Sequence, residues 1–161
     1  DLYKKTLLEP GCGSGFISVW AAKQGASVTA LDINPHAVAN ALKNSQLNNM
    51  HIKVVVSDLF SELDPGVFDY ILINPPYYPK NPLTASDYAW FCGADFEYFR
   101  SLFRSLAFYS HPDSMVMMVL SEDCDVQSIS KIAQSNGLQL QLFSISRSLF
   151  ETGFLYRISS K

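Results

Sequence analysis

Thr6-Leu-Leu-Glu-Pro-Gly-Cys-Gly-Ser-Gly15 decides the fold. An apolar run, Thr6 to Leu8, is closed by an acid and then by glycines at alternate positions, and a helical pattern follows from Phe16. A strand that ends in a glycine loop and turns straight into a helix opens a crossover unit, and its loop is where backbone approaches a ligand with no Cβ in the way. Farther along, the run Tyr70-Ile-Leu-Ile73 is closed by Asn74-Pro-Pro-Tyr77. Two strands with such different endings, in one alternating chain, place two chemical functions at the carboxyl edge of one sheet.

The alternation continues outward from these two points. Strands are predicted at Thr6 to Leu8, Ser27 to Asp32, Ile52 to Ser57, Phe68 to Ile73 and Met115 to Ser121, and helical patterns lie between them. Phe16 to Gln24 is a helix that Gly25 ends. Asn34 is an N-cap with Pro35 at the first helical position, and the helix runs to about Leu47. Phe96 to Tyr109 is strongly amphipathic, and Asp125 to Gln134 is a weaker helix that stops before Asn136-Gly137. The last stretch changes character: Leu138 to Ser146 and Phe154 to Ser159 are strand-like with no helix between them and pair as an antiparallel hairpin. The expectation is an α/β fold, a mostly parallel seven-stranded sheet that ends in this hairpin. Tyr78 to Gly93 is the one long irregular stretch, and loops of that length inside compact domains are usually functional or disordered.

Composition bounds the class. At 161 residues and 48% hydrophobic, the chain suits a single domain, residues 1–161, with a substantial core. No apolar run approaches the roughly 18 residues of a membrane span, and the start, Asp1 to Thr6, lacks the apolar core of a signal peptide. A cytoplasmic protein with no membrane partner is expected. Cys12, Cys92 and Cys124 are scattered, which supports neither a disulfide framework nor a zinc quartet, and no metal site is expected. The net charge is -3 and the twelve basic residues are dispersed. Arg100 and Arg104, with Arg147 as a possible addition, form the nearest thing to a basic patch, and their spacing reads more simply as a solvated helix face. This disfavours a nucleic-acid substrate, because proteins that track phosphates concentrate Lys and Arg on one face.

The glycine loop differs from a dinucleotide loop. The latter usually reads G-x-G-x-x-G, whereas Gly11, Gly13 and Gly15 follow G-x-G-x-G behind Glu9. Asp32 closes the second strand, where a ribose diol needs a carboxylate acceptor. Asp58, after the third strand, is placed to accept the adenine amino group, with Leu59 beside the ring. Glycines and acids at successive strand ends fit S-adenosylmethionine better than NAD. Glu9 orients the loop or touches the amino-acid end of that cofactor. Cys12 and Ser14 read as small loop fillers.

Asn74, Pro75, Pro76 and Tyr77 are the catalytic candidates. An amide or aromatic amino nitrogen is a poor nucleophile because its lone pair is delocalised. A side-chain carbonyl at Asn74 and the Pro75 backbone carbonyl can each accept one N–H of a planar NH2 and leave the remaining lone pair aimed at a methyl donor. The prolines stiffen the turn, and Tyr77 can stack on a planar group. Other residues read as structure. His36, His51 and His111 stand alone, and Met115, Met117 and Met118 lie in a strand whose default is packing. Tyr88 and Trp90, in the loop after the turn, are candidates for lining a substrate slot.

Glu9 to Gly15, Leu31 to Pro35, Ser57 to Leu59 and Ile73 to Tyr77 together resemble the HemK-type Asn-Pro-Pro-Tyr methyltransferases, in a minimal single-domain form. The resemblance runs from about Thr6 to Ser159 and implies a Rossmann-like class I fold with S-adenosyl-L-methionine as cofactor. It adds Cys12, Ile33 and Asn74 itself to the cofactor-binding set. It implies N5-methylation of a protein glutamine, as in the Gly-Gly-Gln loop of a release factor, and a small activating partner protein. In Ala89-Trp-Phe-Cys-Gly93, Phe91-Cys92 replaces residues that are usually smaller, so the substrate slot departs from the pattern. The same turn serves adenine-N6 methyltransferases of RNA or DNA, and that alternative stays open, as does a catalytically silent cofactor-binding subunit.

Overall fold

Parallel strands and their crossover helices account for the first half of the chain, and an antiparallel pair closes the second. The structure, a computed structural model, describes residues 1–147 and 152–161. Its elements are β1 (Thr6–Pro10), α1 (Phe16–Lys23), β2 (Ser27–Asp32), α2 (Pro35–Leu47), β3 (Lys53–Val56), β4 (Phe68–Ile73), α3 (Glu97–Leu106), β5 (Ser110–Ser121), α4 (Val126–Ser135), β6 (Leu138–Arg147) and β7 (Thr152–Ser160). The seven strands are ordered β3-β2-β1-β4-β5-β7-β6. β1 runs parallel to β2 and β4, and β2 to β3, while β7 is antiparallel to both β5 and β6. The expected α/β architecture therefore forms, and the two C-terminal strands pair antiparallel as the pattern required, with β7 the strand that runs against its neighbours β5 and β6.

The chain divides into two compact units, residues 1–72 with 108–114 and residues 73–107 with 115–161. In the first, Leu7 and Leu8 of β1 are fully buried on opposite faces, as a central parallel strand requires. Leu7, Ala21 and Val28 form one core cluster, and Cys12, Ala30 and Ala41 form another. Asn34 caps α2 through its side-chain oxygen, which accepts from His36 N at 2.9 Å, and Pro35 stands at the first turn. In the second unit, α3 buries Phe99, Leu102, Phe103 and Leu106, the i, i+3, i+4, i+7 stripe of an amphipathic helix. Asp125 caps α4, and its carboxylate accepts from Ser128 N at 3.0 Å.

Several boundaries differ from expectation for local reasons. β1 extends to Pro10, because Glu9 and Pro10 are buried in spite of their polarity and ring. β5 starts at Ser110 and not at Met115; His111-Pro112-Asp113 reads as a break, but the Ser114 hydroxyl donates to Phe68 O at 2.6 Å and accepts from His111 N at 2.8 Å. The helix expected over Phe96 to Tyr109 ends at Leu106 and tightens into a 3-10 turn, Ala107–Tyr109. Tyr109 is held there by stacking on Phe60 at 4.6 Å. Met117 and Met118 are core residues as expected, whereas Met115 is 37% exposed.

Asp69, at the start of β4, fixes the register of β4 against β1. Its carboxylate accepts from Thr6 N at 2.8 Å, Thr6 Oγ1 at 3.0 Å and Lys5 Nζ at 2.9 Å, and its amide donates back to Thr6 Oγ1 at 2.9 Å. The Thr6 amide, then Lys5 and the Thr6 hydroxyl, hold the carboxyl down to about 2, below its ordinary 3.8. A depressed folded-state value makes the stabilisation complete above about pH 4 and removes it as pH falls toward 2. Asp69→Asn should therefore melt at a lower temperature than the parent at neutral pH, and thermal scans should show that gap closing between pH 4 and 2. A gap that stays constant across this window would dismiss the role.

Candidate active site

The glycine loop is held by the ends of β2. Gly11 N and Cys12 N donate to Leu31 O at 2.7 and 2.9 Å, Gly13 N to Asp32 Oδ2 at 2.9 Å and Gly15 N to Cys12 O at 2.8 Å. Asp32 Oδ1 also accepts from Asn34 N at 2.9 Å. These four loop amides are thus engaged by the protein, whereas a dinucleotide loop leaves amides facing the pyrophosphate. A cofactor without phosphates fits this arrangement. Asp32 accepts two amides and retains further lone pairs, so its carboxylate can also receive the hydroxyls of a ribose.

The glycines divide their work. A Cβ on Gly13, at φ +53°, meets nothing within 4 Å, so the space beside it is open for a ligand. A Cβ on Gly15, at φ +73°, stands 2.8 Å from the Ala41 Cβ of α2. Gly15 therefore also serves the close approach of loop and helix.

Glu9 is buried at the end of β1, where its carboxylate accepts the hydroxyl of Ser18 on α1. Burial pushes the group up to about 7, Ser18 opposes the shift, and the charge of Asp32 adds to it. Ser18 escaped the sequence reading; its signal is a fully buried polar residue on the apolar face of α1. Burial first, then Glu9 and Asp32, raise the Cys12 thiol to about 12, which leaves it a packed filler and no nucleophile at neutral pH.

Just past β3, Ser57, which the sequence places at the strand end and in the Ser57 to Leu59 motif without a role of its own, organises the turn. Its amide donates to Asp32 O at 2.9 Å, and its hydroxyl donates to Leu59 O at 2.8 Å and accepts from Glu62 N at 3.1 Å. Leu59 is half-buried at φ 48°, Asp58 is exposed, and Ile33 is half-buried just beyond β2. Glu9, the glycine loop, Ile33, Asp32 and the Ser57–Leu59 turn thus all lie at or just past the carboxyl ends of β1, β2 and β3 within one unit.

The second unit carries the turn. Pro75 and Pro76 are buried, Tyr77 is half-buried, and the Asn74 side chain is exposed directly after β4. Tyr77 N donates to Trp90 O at 3.2 Å, so the loop's return segment holds the turn. Cys92 is buried with its thiol 3.3 Å from Tyr78 O, which seats the residue that departs from the usual small type. The loop itself is partly ordered, with a 3-10 turn at Asp87–Ala89 and a bridge between Tyr78 and Phe91. Tyr88 and Trp90 are 45% and 56% exposed.

The remaining candidates behave as structure. Arg100 pairs with Asp95 at 3.1 Å on an exposed helix face. His111 Nε2 lies 4.0 Å from Asp69 Oδ1, away from the loop and turn residues in sequence. Among the described residues, no group of His, Cys, Asp and Glu is arranged to hold a metal, and no helix is long and apolar enough to cross a membrane.

Sheet order, glycine loop and the acid at the end of β2 define the class: a Rossmann-like domain of the methyltransferase type. The methyltransferase small domain family matches residues 2–89, and the chain belongs to that family. A provisionally named protein N5-glutamine methyltransferase of Methanocaldococcus jannaschii is 49% identical over 82 residues, which are 50% of this chain and 41% of that relative's length. The human methyltransferase HEMK2 is 30% identical over 143 residues, 82% of this chain and 67% of HEMK2. The solved Mtq2–Trm112 complex of E. cuniculi, responsible for methylation of the eRF1 termination factor, matches the fold with a TM-score of 0.70 at 18% identity, covering 100% of this chain and 88% of that one.

Two measurements test the loop. Glu9 has a folded-state value above its ordinary 4.5, so the protonated form favours the fold; that contribution is complete below about pH 4.5 and is lost as pH rises through about 7. Urea midpoints of the permanently neutral Glu9→Gln should gain on the parent from pH 5 to 8, and parallel profiles would reject the assignment. Gly15→Ala should lose about 1–3 kcal/mol of stability through strain and overlap. Gly13→Ala should lose less on urea denaturation yet weaken S-adenosylmethionine binding by calorimetry; the reverse ranking would reassign the two glycines.

Proposed function

We propose that residues 1–161 act as one methyltransferase domain that methylates the side-chain nitrogen of a protein glutamine, in a loop of the Gly-Gly-Gln type carried by release factors. The observation that carries this reading is the Asn74 side chain, exposed on a turn whose two prolines are buried. An exposed amide on a rigid support can meet an acceptor without first paying to order itself. Similarity to the glutamine methyltransferase of M. jannaschii and to HEMK2 supports protein glutamine as the acceptor class. The net charge of -3 with dispersed basic residues agrees with an acceptor that is not a phosphate chain.

In this reading Glu9, Gly11, Cys12, Gly13, Gly15, Asp32, Ile33, Asp58 and Leu59 form the donor side, with Asn74 shared by donor and acceptor. S-adenosylmethionine, when bound, supplies an electrophilic sulfonium methyl. Asp32 receives the ribose hydroxyls, and Asp58 the adenine amino group. Asn74 Oδ1 and the Pro75 carbonyl each accept one N–H of the glutamine amide, which turns its nitrogen lone pair away from the protein and toward the donor. Pro76 fixes the backbone, and Tyr77 flanks the planar amide. A small activating partner protein belongs to the same reading, and the assembly of the similar E. cuniculi protein Mtq2 with Trm112 supports a partner.

The test uses purified protein, labelled S-adenosylmethionine and a release factor. Label should enter the Gly-Gly-Gln glutamine, vanish when that glutamine is replaced, and depend only weakly on salt between about 50 and 200 mM. Asn74→Ala should lose far less in donor binding than in turnover, which falls by about 2.7–4 kcal/mol of barrier, on the order of a hundred- to a thousandfold. Label in N6-methyladenine, with affinity collapsing as salt rises, would establish the adenine reading in its place.

A further inference from the structure

Tyr78 follows the catalytic candidates in sequence, and its contacts converge on it from two directions. Its amide donates to Trp90 O at 2.9 Å, and its carbonyl accepts from Cys92 N at 2.9 Å and from the Cys92 thiol at 3.3 Å. Its ring lies 4.8 Å from that of Tyr77. Its hydroxyl donates to Asp123 Oδ2 at 3.3 Å, on the turn between β5 and α4. That turn is itself fixed: Asp123 N donates to Ser121 Oγ at 3.3 Å, Cys124 N to Ser121 O at 3.2 Å and Val126 N to Cys124 O at 2.8 Å. Partial desolvation, then the charge of Asp123, raise the phenol above its ordinary value, so it remains a donor at neutral pH.

Residues 79–90 leave and return through this neck. The excursion is ordered from within, since Leu83 N and Thr84 N donate to Asp87 Oδ2 at 2.9 and 2.8 Å and Gly93 N donates to Lys80 O at 3.0 Å. It presents Leu83, 90% exposed, together with the exposed Tyr88 and Trp90. A loop that is rigid inside and attached at a narrow neck takes its position from that neck. The backbone bonds at Tyr78 close the neck, and the hydroxyl ties it to a second element, the β5–α4 turn.

We propose that Tyr78 and Asp123 form a positioning latch: their hydrogen bond fixes where the 79–90 loop meets the methyl acceptor, and so controls acceptor use without affecting the donor. The proposal rests on the function given above only in that the acceptor enters beside the Asn74 turn; it does not depend on the acceptor being glutamine. At 3.3 Å the bond is long, so its effect lies in placement more than in stability.

The experiment compares the parent with Tyr78→Phe, Asp123→Ala, Asp123→Asn and the Tyr78→Phe/Asp123→Ala double variant, using whichever acceptor the parent labels. Calorimetry should give the same S-adenosylmethionine affinity for all. The acceptor KM should rise about three- to tenfold in Tyr78→Phe and in Asp123→Ala. Asp123→Asn, whose amide oxygen still accepts, should stay near the parent, and the double variant should be no worse than either single one. Amide exchange within 79–90 should quicken in the variants that lose the bond. An unchanged acceptor KM in Tyr78→Phe overturns the latch, even with faster exchange, since the contact is then structural only; additive losses in the double variant overturn it as well. An RNA acceptor would reject the glutamine reading and leave the latch to the same KM comparison.

Discussion

Two amides on one carboxylate organise the first unit. Asp32 accepts Gly13 N and Asn34 N, while its neighbour Leu31 accepts Gly11 N and Cys12 N through its carbonyl. The end of β2 thereby fixes both the loop after β1 and the entry to α2. Without that acid, Gly13 and Asn34 would carry unpaired amides in a half-buried turn, each at a cost of about 1–3 kcal/mol. The constraint also selects the ligand. Loop amides that are already bonded cannot grip a phosphate, and the charged group they leave facing outward is an acceptor. A ligand that brings hydroxyl and amino donors matches it, and one that brings anionic oxygens does not.

Glu9 shows how the same end of the sheet tolerates a second acid. It is buried beside α1, bonded by Ser18, and raised to about 7 by desolvation. Its proton is then held near neutrality, which limits the repulsion with Asp32 that two full charges would bring. The Cys12 thiol in the same surroundings is pushed beyond the range in which it ionises at neutral pH. No activated nucleophile stands in this loop, in keeping with a reaction in which the acceptor attacks the donor directly and the protein contributes position and field.

In the second unit, stiffness comes from unlike sources that act on successive residues. Pro75 and Pro76 fix their own φ and are buried, the Tyr77 and Tyr78 amides donate hydrogen bonds to the Trp90 carbonyl, and Tyr78 reaches Asp123. Asn74 is the exposed residue at the head of this series. A side chain that must hold a planar group to a fraction of an ångström needs such support from the chain behind it, because its own rotamers are otherwise free in solvent.

The sequence by itself determined the strand and helix alternation, the antiparallel pairing of the last two strands, the helix cap at Asn34, and the loop and turn that mark the candidate site. These are legible because they rest on period, on φ preference and on short-range capping, all of which are local. Tertiary structure decided what non-local bonds control. Ser114 reaching Phe68 extends β5 through His111-Pro112-Asp113; Ala41 claims the space that a side chain on Gly15 would fill; Ser18 shields Glu9; and Asp69 locks Thr6 from 63 residues away. Tyr78 and Asp123 are 45 residues apart and carry no motif. A hydrogen bond between distant residues leaves no periodic trace in the chain, since either partner alone reads as an ordinary polar side chain, and only the folded backbone brings them within reach.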